Sequence, residues 1–369
     1  MTFTDKFTNL SVETKTKHLK QNEEYVDSLY EKPDLRQLFI EMTLNCNEHC
    51  RHCGSRCGDL KMEDQLTDKE IIDFLTDLKG KVEKLPFLNI TGGEPTLRPN
   101  FIELMHEISE LGYKWGMTTN GTLITESYVE RLKYAGMSTV SVSIDGLEST
   151  HNWFRQVSNG YKKSIDAIKY LVNGGFYNVM VTTVVHSRNI NELYDLYKIV
   201  KSLGVDTWRV INIDPIGRAK DNPDLLLNDN QYMQMLDFIK ARRASDKDIE
   251  VCFGCNYWLG TDNEHRLRNW YYKCTAGIQT GGIFYNGDIG GCLDIIRTPD
   301  TIQGNIRNND FLTVWNNKFS IFRKNRAFES DYCKDCIECK NCRGHGFHTW
   351  NIIENKPEIC MYKIYNGVE

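Results

Sequence analysis

The sequence predicts an α/β protein: a partial (β/α)6 barrel, open on one side, followed by a small cysteine-rich C-terminal domain. Three observations predict it. From residue 37 to 213, short β-branched runs alternate with longer amphipathic stretches, the pattern of βα units in series. The strand runs are apolar or threonine-rich rather than strictly alternating, as strands buried on both faces of a parallel sheet are. The cysteines sit at two ends of the chain: four of the thirteen lie in 46–57, nine in 252–360, and none between.

In order, residues 1–36 are polar and rich in Lys and Glu. They predict a helix packed on the barrel or a mobile arm, too short and too polar for an independent recognition domain. The barrel is assigned to 37–225. Its strands are expected at Gln37–Met42, Phe87–Thr91, Lys114–Thr118, Thr139–Ile144, Asn178–His186 and Thr207–Ile213. Helices are expected at Asp68–Lys81, Asn100–Leu111, Glu126–Ala135, Lys163–Asn173 and Asn191–Leu203, with Gly112, Gly136, Gly174-Gly175 and Gly204 as stop signals. Thr67 and Glu70 form a capping-box pattern. Six units are too few for a closed eight-fold barrel. Residues 226–272 read as a helical connector. Residues 273–369, rich in Gly and Cys with weak periodicity, read as a domain held by metal more than by an apolar core.

Charge is nearly balanced, 45 Lys and Arg against 50 Asp and Glu, with no block of like charge, so no nucleic-acid partner is expected. No apolar run approaches the ~18 residues of a membrane span. The first residues lack a secretion signal, so a cytoplasmic location is expected and the thiols point to metal or redox work rather than disulfides.

The motifs lie at expected strand ends, where α/β active sites sit. The run Cys46-Asn-Glu-His-Cys50-Arg-His-Cys53 offers three thiolates. A structural zinc wants four ligands and an electron-transfer cluster normally takes four thiolates. Three leave one iron of a [4Fe–4S] cluster open for a ligand. Thr91-Gly92-Gly93-Glu94-Pro95 ends the second strand, with glycines that let backbone approach a ligand closely and a carboxylate nearby. Thr118-Thr-Asn120-Gly121 ends the third, and Ser141-Val-Ser143-Ile-Asp145-Gly146 the fourth. Arg155 follows, a residue able to clamp a carboxylate in a bidentate fork.

In this order the motifs resemble those of the radical SAM family, whose fold is a TIM-like partial barrel, over roughly residues 37–220. The resemblance implies a [4Fe–4S] cluster on Cys46, Cys50 and Cys53 and S-adenosylmethionine as cofactor. It implies cofactor contacts at Gly92, Gly93, Glu94, Asn120, Ser141, Ser143, Asp145 and Arg155. His52 departs from the aromatic residue frequent before the third cysteine.

The tail resembles the SPASM extension of that family. Cys274 is followed by twelve residues, Gly287, four residues and Cys292, and then by Cys333, Cys336, Cys342 and Cys360. The resemblance implies two auxiliary [4Fe–4S] clusters. The distal one would use Cys333, Cys336, Cys342 and Cys360. The nearer would use Cys274 and Cys292, with Cys255 and Cys339 as candidates for the remaining places, or His345 as a closing ligand. The match departs at Gly346, where the family pattern has a cysteine. Asp294, two residues past Cys292, is a candidate catalytic base.

The family chemistry implies reductive cleavage of S-adenosylmethionine to a 5′-deoxyadenosyl radical and hydrogen abstraction from the substrate, with auxiliary clusters as an electron exit. Relatives with this tail imply a peptide or protein substrate, most directly a thioether or carbon–carbon crosslink in a ribosomally made peptide. Sulfatase-maturase-like Cys/Ser oxidation, tetrapyrrole side-chain oxidation and peptide epimerisation stay open. The partners implied are a reductant such as flavodoxin or ferredoxin and a separate leader-peptide recognition protein.

Overall fold

A computed structural model describes residues 11–59, 63–254 and 256–368. Cys255 therefore lies outside the described residues, as do residues 1–10 of the N-terminal extension.

Seven strands form in chain order: β1 (Gln37–Glu41), β2 (Phe87–Thr91), β3 (Trp115–Thr119), β4 (Met137–Ser143), β5 (Asn178–Val185), β6 (Thr207–Asn212) and β7 (Glu250–Phe253). Each pairs in parallel with the next. The first six lie within two residues of the expected positions, because β-branched and aromatic runs such as Val179–Val185 suit a sheet covered on both faces. The covering helices are amphipathic at the helical period. In Asp68–Lys79, Ile71, Leu75 and Leu78 are buried, and Thr67 and Glu70 form the capping box, with Glu70 N donating to Thr67 Oγ1 at 3.2 Å.

The sequence pattern does not reveal two of the parallel strands. β7 lies within the stretch read as a helical connector, after the long helix Asp229–Ser245. β8 (Thr280–Ile283) pairs in parallel with the free side of β1 and continues antiparallel into β9 (Asp288–Gly290) and β10 (Gly304–Asn305). The result is one ten-stranded sheet in the order β10-β9-β8-β1-β2-β3-β4-β5-β6-β7, with no pairing between its ends. β7 and β8 escape notice because each has only four residues, and Thr280-Gly281-Gly282-Ile283 reads locally as a turn. Gly281 packs closely against β1: a Cβ there would lie 3.3 Å from Leu38 Cδ1.

One apolar core serves barrel and tail together, from Leu38 and Trp208 to Phe319, Phe347 and Met361. The N-terminal helix Val12–Glu31 lies against the tail and the segment before it, with Asn22 accepting from Trp270 at 3.0 Å and Asp27 paired to Arg343 at 2.8 Å. Among the described residues no helix is long and apolar enough to cross a membrane.

Leu38→Ala removes a fully buried side chain between β2 and β8. We expect a loss of about 2–5 kcal/mol of unfolding free energy in urea titrations; a loss under about 1 kcal/mol would show the β1–β8 seam to be loosely packed.

Candidate active site

The segment from Thr43 to Asp59 leaves the C-terminal end of β1 and is fastened by backbone contacts on two sides. On one side, Gly93 N donates to Thr43 O (2.7 Å) and Glu94 N to Asn45 O (2.8 Å). A Cβ on Gly92 would lie 2.3 Å from Thr43 O, and one on Gly93 2.2 Å from Asn45 O. The glycine pair is thus demanded by the cysteine loop itself. On the other side, the segment after β6 crosses the loop. Arg218 Nε donates to Cys50 O at 2.7 Å, and Arg218 N to Cys53 O at 3.0 Å. Nothing in the sequence pattern marks Arg218, which touches the loop only through the fold.

Buried charges complete the fastening. Arg155 bridges Glu48, inside the loop, at 2.8 Å and Asp145, at the end of β4, at 2.7 Å. Burial favours the neutral form of Asp145, but Arg155 and the nearby histidines outweigh it and hold the carboxyl below its usual range. Arg155 lines the cysteine cavity, while its guanidinium is engaged by two protein carboxylates. Glu94 faces away from the cavity. Its fully buried carboxylate accepts from Thr96 Oγ1, Thr119 Oγ1 and Asn120 N at 2.7–3.0 Å, so it braces the β2 turn to the end of β3. Asn120 donates to Asn47 Oδ1 at 2.8 Å, a second tie to the loop. His52 stacks on Phe154 (ring centroids 4.3 Å), which stacks on His186 (4.1 Å), forming a layer under the loop. His151 is buried, with Nδ1 accepting from Asp145 N.

Cys46, Cys50 and Cys53 line one cavity of about 200 Å³ with Gly92, Gly93, Asn120, Ser143 and Arg155. Among the described residues no three His, Cys, Asp or Glu side chains converge on a single-ion point. Thiols spread around a cavity suit a multinuclear cluster, in which each iron takes its own cysteine. Burial pushes the Cys46 thiol up to about 11 and Cys50 well above its ordinary value, so bound metal would be needed to hold them as thiolates. Hydrogen bonding from Cys57 draws Cys53 down to about 6. The buried Glu48 Oε1 has no partner, an acceptor left for a bound group. The residues present fit a three-cysteine cluster with an adjoining ligand.

Two further cavities adjoin. One, about 290 Å³, lies within the barrel and includes Ser141, whose hydroxyl pairs with Thr182 at 2.7 Å. The other, about 380 Å³, is bounded by Cys274, Cys292, Asp214 and His348. Asp294 lines all three. His348 and Asp214 are a pair the sequence does not suggest: His348 Nε2 lies 3.2 Å from Asp214 Oδ2, and Tyr257 donates to Asp214 Oδ1 at 2.5 Å. Burial alone would lower the His348 pKa, but Asp214 and Asp294 outweigh it and raise it.

The tail thiols lie at two neighbouring places, and Cys274 is at both: it lines the large cavity and packs against the cluster of Trp258 and Tyr362. Cys274 and Cys292 share the large cavity. Cys336, Cys342 and Cys360 pack around Trp258 and Tyr362, and Cys333 lies within electrostatic reach of Cys342 and Cys360. Cys339, expected as a candidate for the nearer cluster, instead has Cys333 and Cys336 as its electrostatic neighbours. The consecutive turns of 333–342 keep it with them. His345 Nδ1 accepts from Trp258 N at 2.9 Å, so that nitrogen is already occupied. The departure at residue 346 has a steric reason: Gly346 N donates to Asn256 O at 2.6 Å, and a Cβ there would lie 2.5 Å from Asn256 Cβ.

Arg155→Gln leaves two buried carboxylates uncompensated. We expect about 3–5 kcal/mol less unfolding free energy and a lower iron content after reconstitution; wild-type values for both would remove Arg155 as the loop's brace. Burial lowers the pKa of His151 to about 3 and of His186 to about 4. Below the unfolded value of about 6.5, only the unfolded chain takes up those protons. Their contribution to stability is therefore flat above that pH and falls as pH drops from about 6.5 toward 4, by up to about 1.4 kcal/mol per unit per histidine. Urea titrations of the metal-free chain at pH 7 and pH 5 check the sign.

The radical SAM superfamily model matches residues 40–200, and the iron–sulfur cluster-binding SPASM model matches 274–343. The AdoMet-dependent heme synthase of Methanosarcina barkeri is 27% identical over 89% of this chain and 97% of its own. Mycofactocin maturase MftC of Mycobacterium tuberculosis is 28% identical over 82% and 76%. Two solved structures share the fold. Streptococcus suis SuiB bound to S-adenosylmethionine has TM-score 0.70 and 20% identity, covering 90% of this chain and 77% of that one. Native anSMEcpe with bound AdoMet has TM-score 0.70 and 19% identity, covering 90% and 96%. With a three-cysteine loop at the head of the barrel and a cysteine-rich tail joined to its sheet, the chain belongs to the radical SAM enzymes that carry a SPASM domain, with iron–sulfur clusters and S-adenosylmethionine as cofactors.

Proposed function

We propose that this enzyme oxidatively modifies a peptide or protein side chain, installing a thioether or carbon–carbon crosslink in a ribosomally made peptide. The observation that carries the reading is the succession of cavities. The cysteine-loop cavity, the barrel cavity and the large cavity share Asp294 as a common wall, and the last is bounded by Cys274 and Cys292. A substrate side chain in the middle would have the radical source on one side and an auxiliary pair of thiols on the other. That arrangement suits a net oxidation, which must dispose of an electron after hydrogen abstraction.

With cluster and S-adenosylmethionine bound at Cys46, Cys50 and Cys53, the site supplies a 5′-deoxyadenosyl radical. The chain's own residues do the rest. The Gly92-Gly93 backbone, Asn120 and Ser143 line the cofactor's cavity. Arg155 and Glu94 hold the surrounding elements in place. Buried Leu38, Ile40 and Trp208 back the sheet and keep water from the outer face. Asp294, exposed to all three cavities, is the group placed to accept a substrate proton as the electron leaves. The similarity to MftC and the fold shared with SuiB, solved with its precursor peptide SuiA, support a peptide substrate. A second reading, tetrapyrrole side-chain oxidation, is favoured by the heme synthases, which align along nearly the whole chain.

The test is anaerobic reconstitution with a candidate precursor peptide, S-adenosylmethionine and a reductant. We expect 5′-deoxyadenosine and a peptide lighter by two hydrogens. Replacing Cys46, Cys50 and Cys53 by Ala abolishes both, and Asp294→Asn lowers peptide product. Turnover of a porphyrin and of no peptide would replace the peptide reading with the tetrapyrrole one.

A further inference from the structure

We infer that Arg209 is the anion-recognition residue of the substrate chamber and takes a carboxylate of the substrate. The inference rests on the reading of these cavities as the place where substrate is held.

Arg209 lies on β6 and lines both the barrel cavity and the large cavity, as Asp294 does. Its Nε is buried and has no hydrogen-bond partner, and among the described residues its guanidinium forms no ion pair. Arg209 is half-buried, and three fully buried arginines of the barrel are neutralised: Arg98 by Asp68, Arg155 by Glu48 and Asp145, Arg218 by Asp59. A guanidinium nitrogen shut away from water without a partner is costly, and such atoms are normally paired. Space has also been made for this one. Gly254, just beyond β7, has no side chain, and a Cβ there would lie 2.2 Å from Arg209 Cγ and 2.5 Å from its Cδ. The neighbouring polar walls share the deficit, since Asn89 Nδ2 and Asn178 Oδ1 in the barrel cavity are also buried without partners.

The charge balance selects the ligand class. The other ionisable groups at the large cavity include two carboxylates, Asp214 and Asp294, and the imidazole of His348. A doubly charged phosphate would meet both carboxylates with one guanidinium and the His348 imidazole, already paired to Asp214, to offset it. A single carboxylate matches the planar fork of one arginine. The carboxylate could belong to a peptide terminus or acidic side chain, or to the rim of a tetrapyrrole.

The test uses phenylglyoxal on the anaerobically reconstituted holoenzyme, with modification of Arg209 followed by peptide mapping. We expect Arg209 to react faster than the paired Arg155 and Arg218. Succinate should slow that reaction several-fold while succinamide does not. Two further arms separate the sources: a candidate precursor peptide with a free carboxylate against its amide, and a tetracarboxylate porphyrin. Protection by the acid peptide alone supports the inference with the peptide reading. Protection by the porphyrin alone supports it while overturning the peptide reading. No labelling of Arg209, or equal protection by acids and amides, overturns it; the peptide reading then still stands or falls on its own product assay.

Discussion

The structure depends on holding an irregular loop with buried thiols in one shape against the end of a parallel sheet. A loop in that position cannot use ladder hydrogen bonds, and its polar groups are shut away from bulk water. Here the loop backbone is fastened to the Gly92-Gly93 turn, to Asn120 through Asn47, and to the Gly217-Arg218 crossing, where a Cβ on Gly217 would lie 2.2 Å from Cys53 O. The Glu48–Arg155–Asp145 bridge adds a charge-paired tie beneath it. Each fastening comes from the C-terminal end of a different strand, so the spacing of the parallel sheet sets the shape of the thiol cavity.

This explains a division among the motif residues. Several that read as cofactor contacts also serve the scaffold: Glu94 through Thr119 and Asn120, Asp145 through Arg155 and Val184 N, Ser141 through Thr182. A motif tells which residues gather at a site, not which face each presents. Gly92, Gly93, Asn120 and Ser143 keep surface on the cavity. The first six strands were legible because each is a stretch of five to eight residues rich in apolar, aromatic or β-branched side chains. β7 and β8 were not, since runs of four residues, in β8 with two glycines, become strands only by pairing with an existing edge. Arg218, Arg209 and the His348–Asp214 pair were illegible for a related reason. Their neighbours lie tens to more than a hundred residues away in sequence, and no local spacing encodes them. Spacing alone allows Cys339 to either group, and the turns of 333–342 set it beside Cys333 and Cys336.

The tail is more than an appendage for metal. Its hairpin extends the barrel sheet, its aromatic residues enter the barrel core, and it brings Cys274, Cys292 and Asp294 to the chamber. The position of Asp294 against all three cavities follows from the pairing of β8 with β1. The segment between β9 and β10 is fastened separately to β1, where Arg297 meets the buried Glu41 at 2.5 Å.

That pairing also orders events during synthesis. β1 emerges early from the ribosome, yet Gln37 meets Thr280 and Ile40 meets Ile283 near the other end of the chain. Until those residues appear, β1 has β2 on one side and an open edge on the other, apolar and able to accept any passing strand. The nascent barrel therefore waits with its metal-binding loop attached to an exposed edge. A truncated transcript, or a pause before residue 280, would leave the chain inclined to associate through that edge, and chaperone capture would fall on this interval of translation.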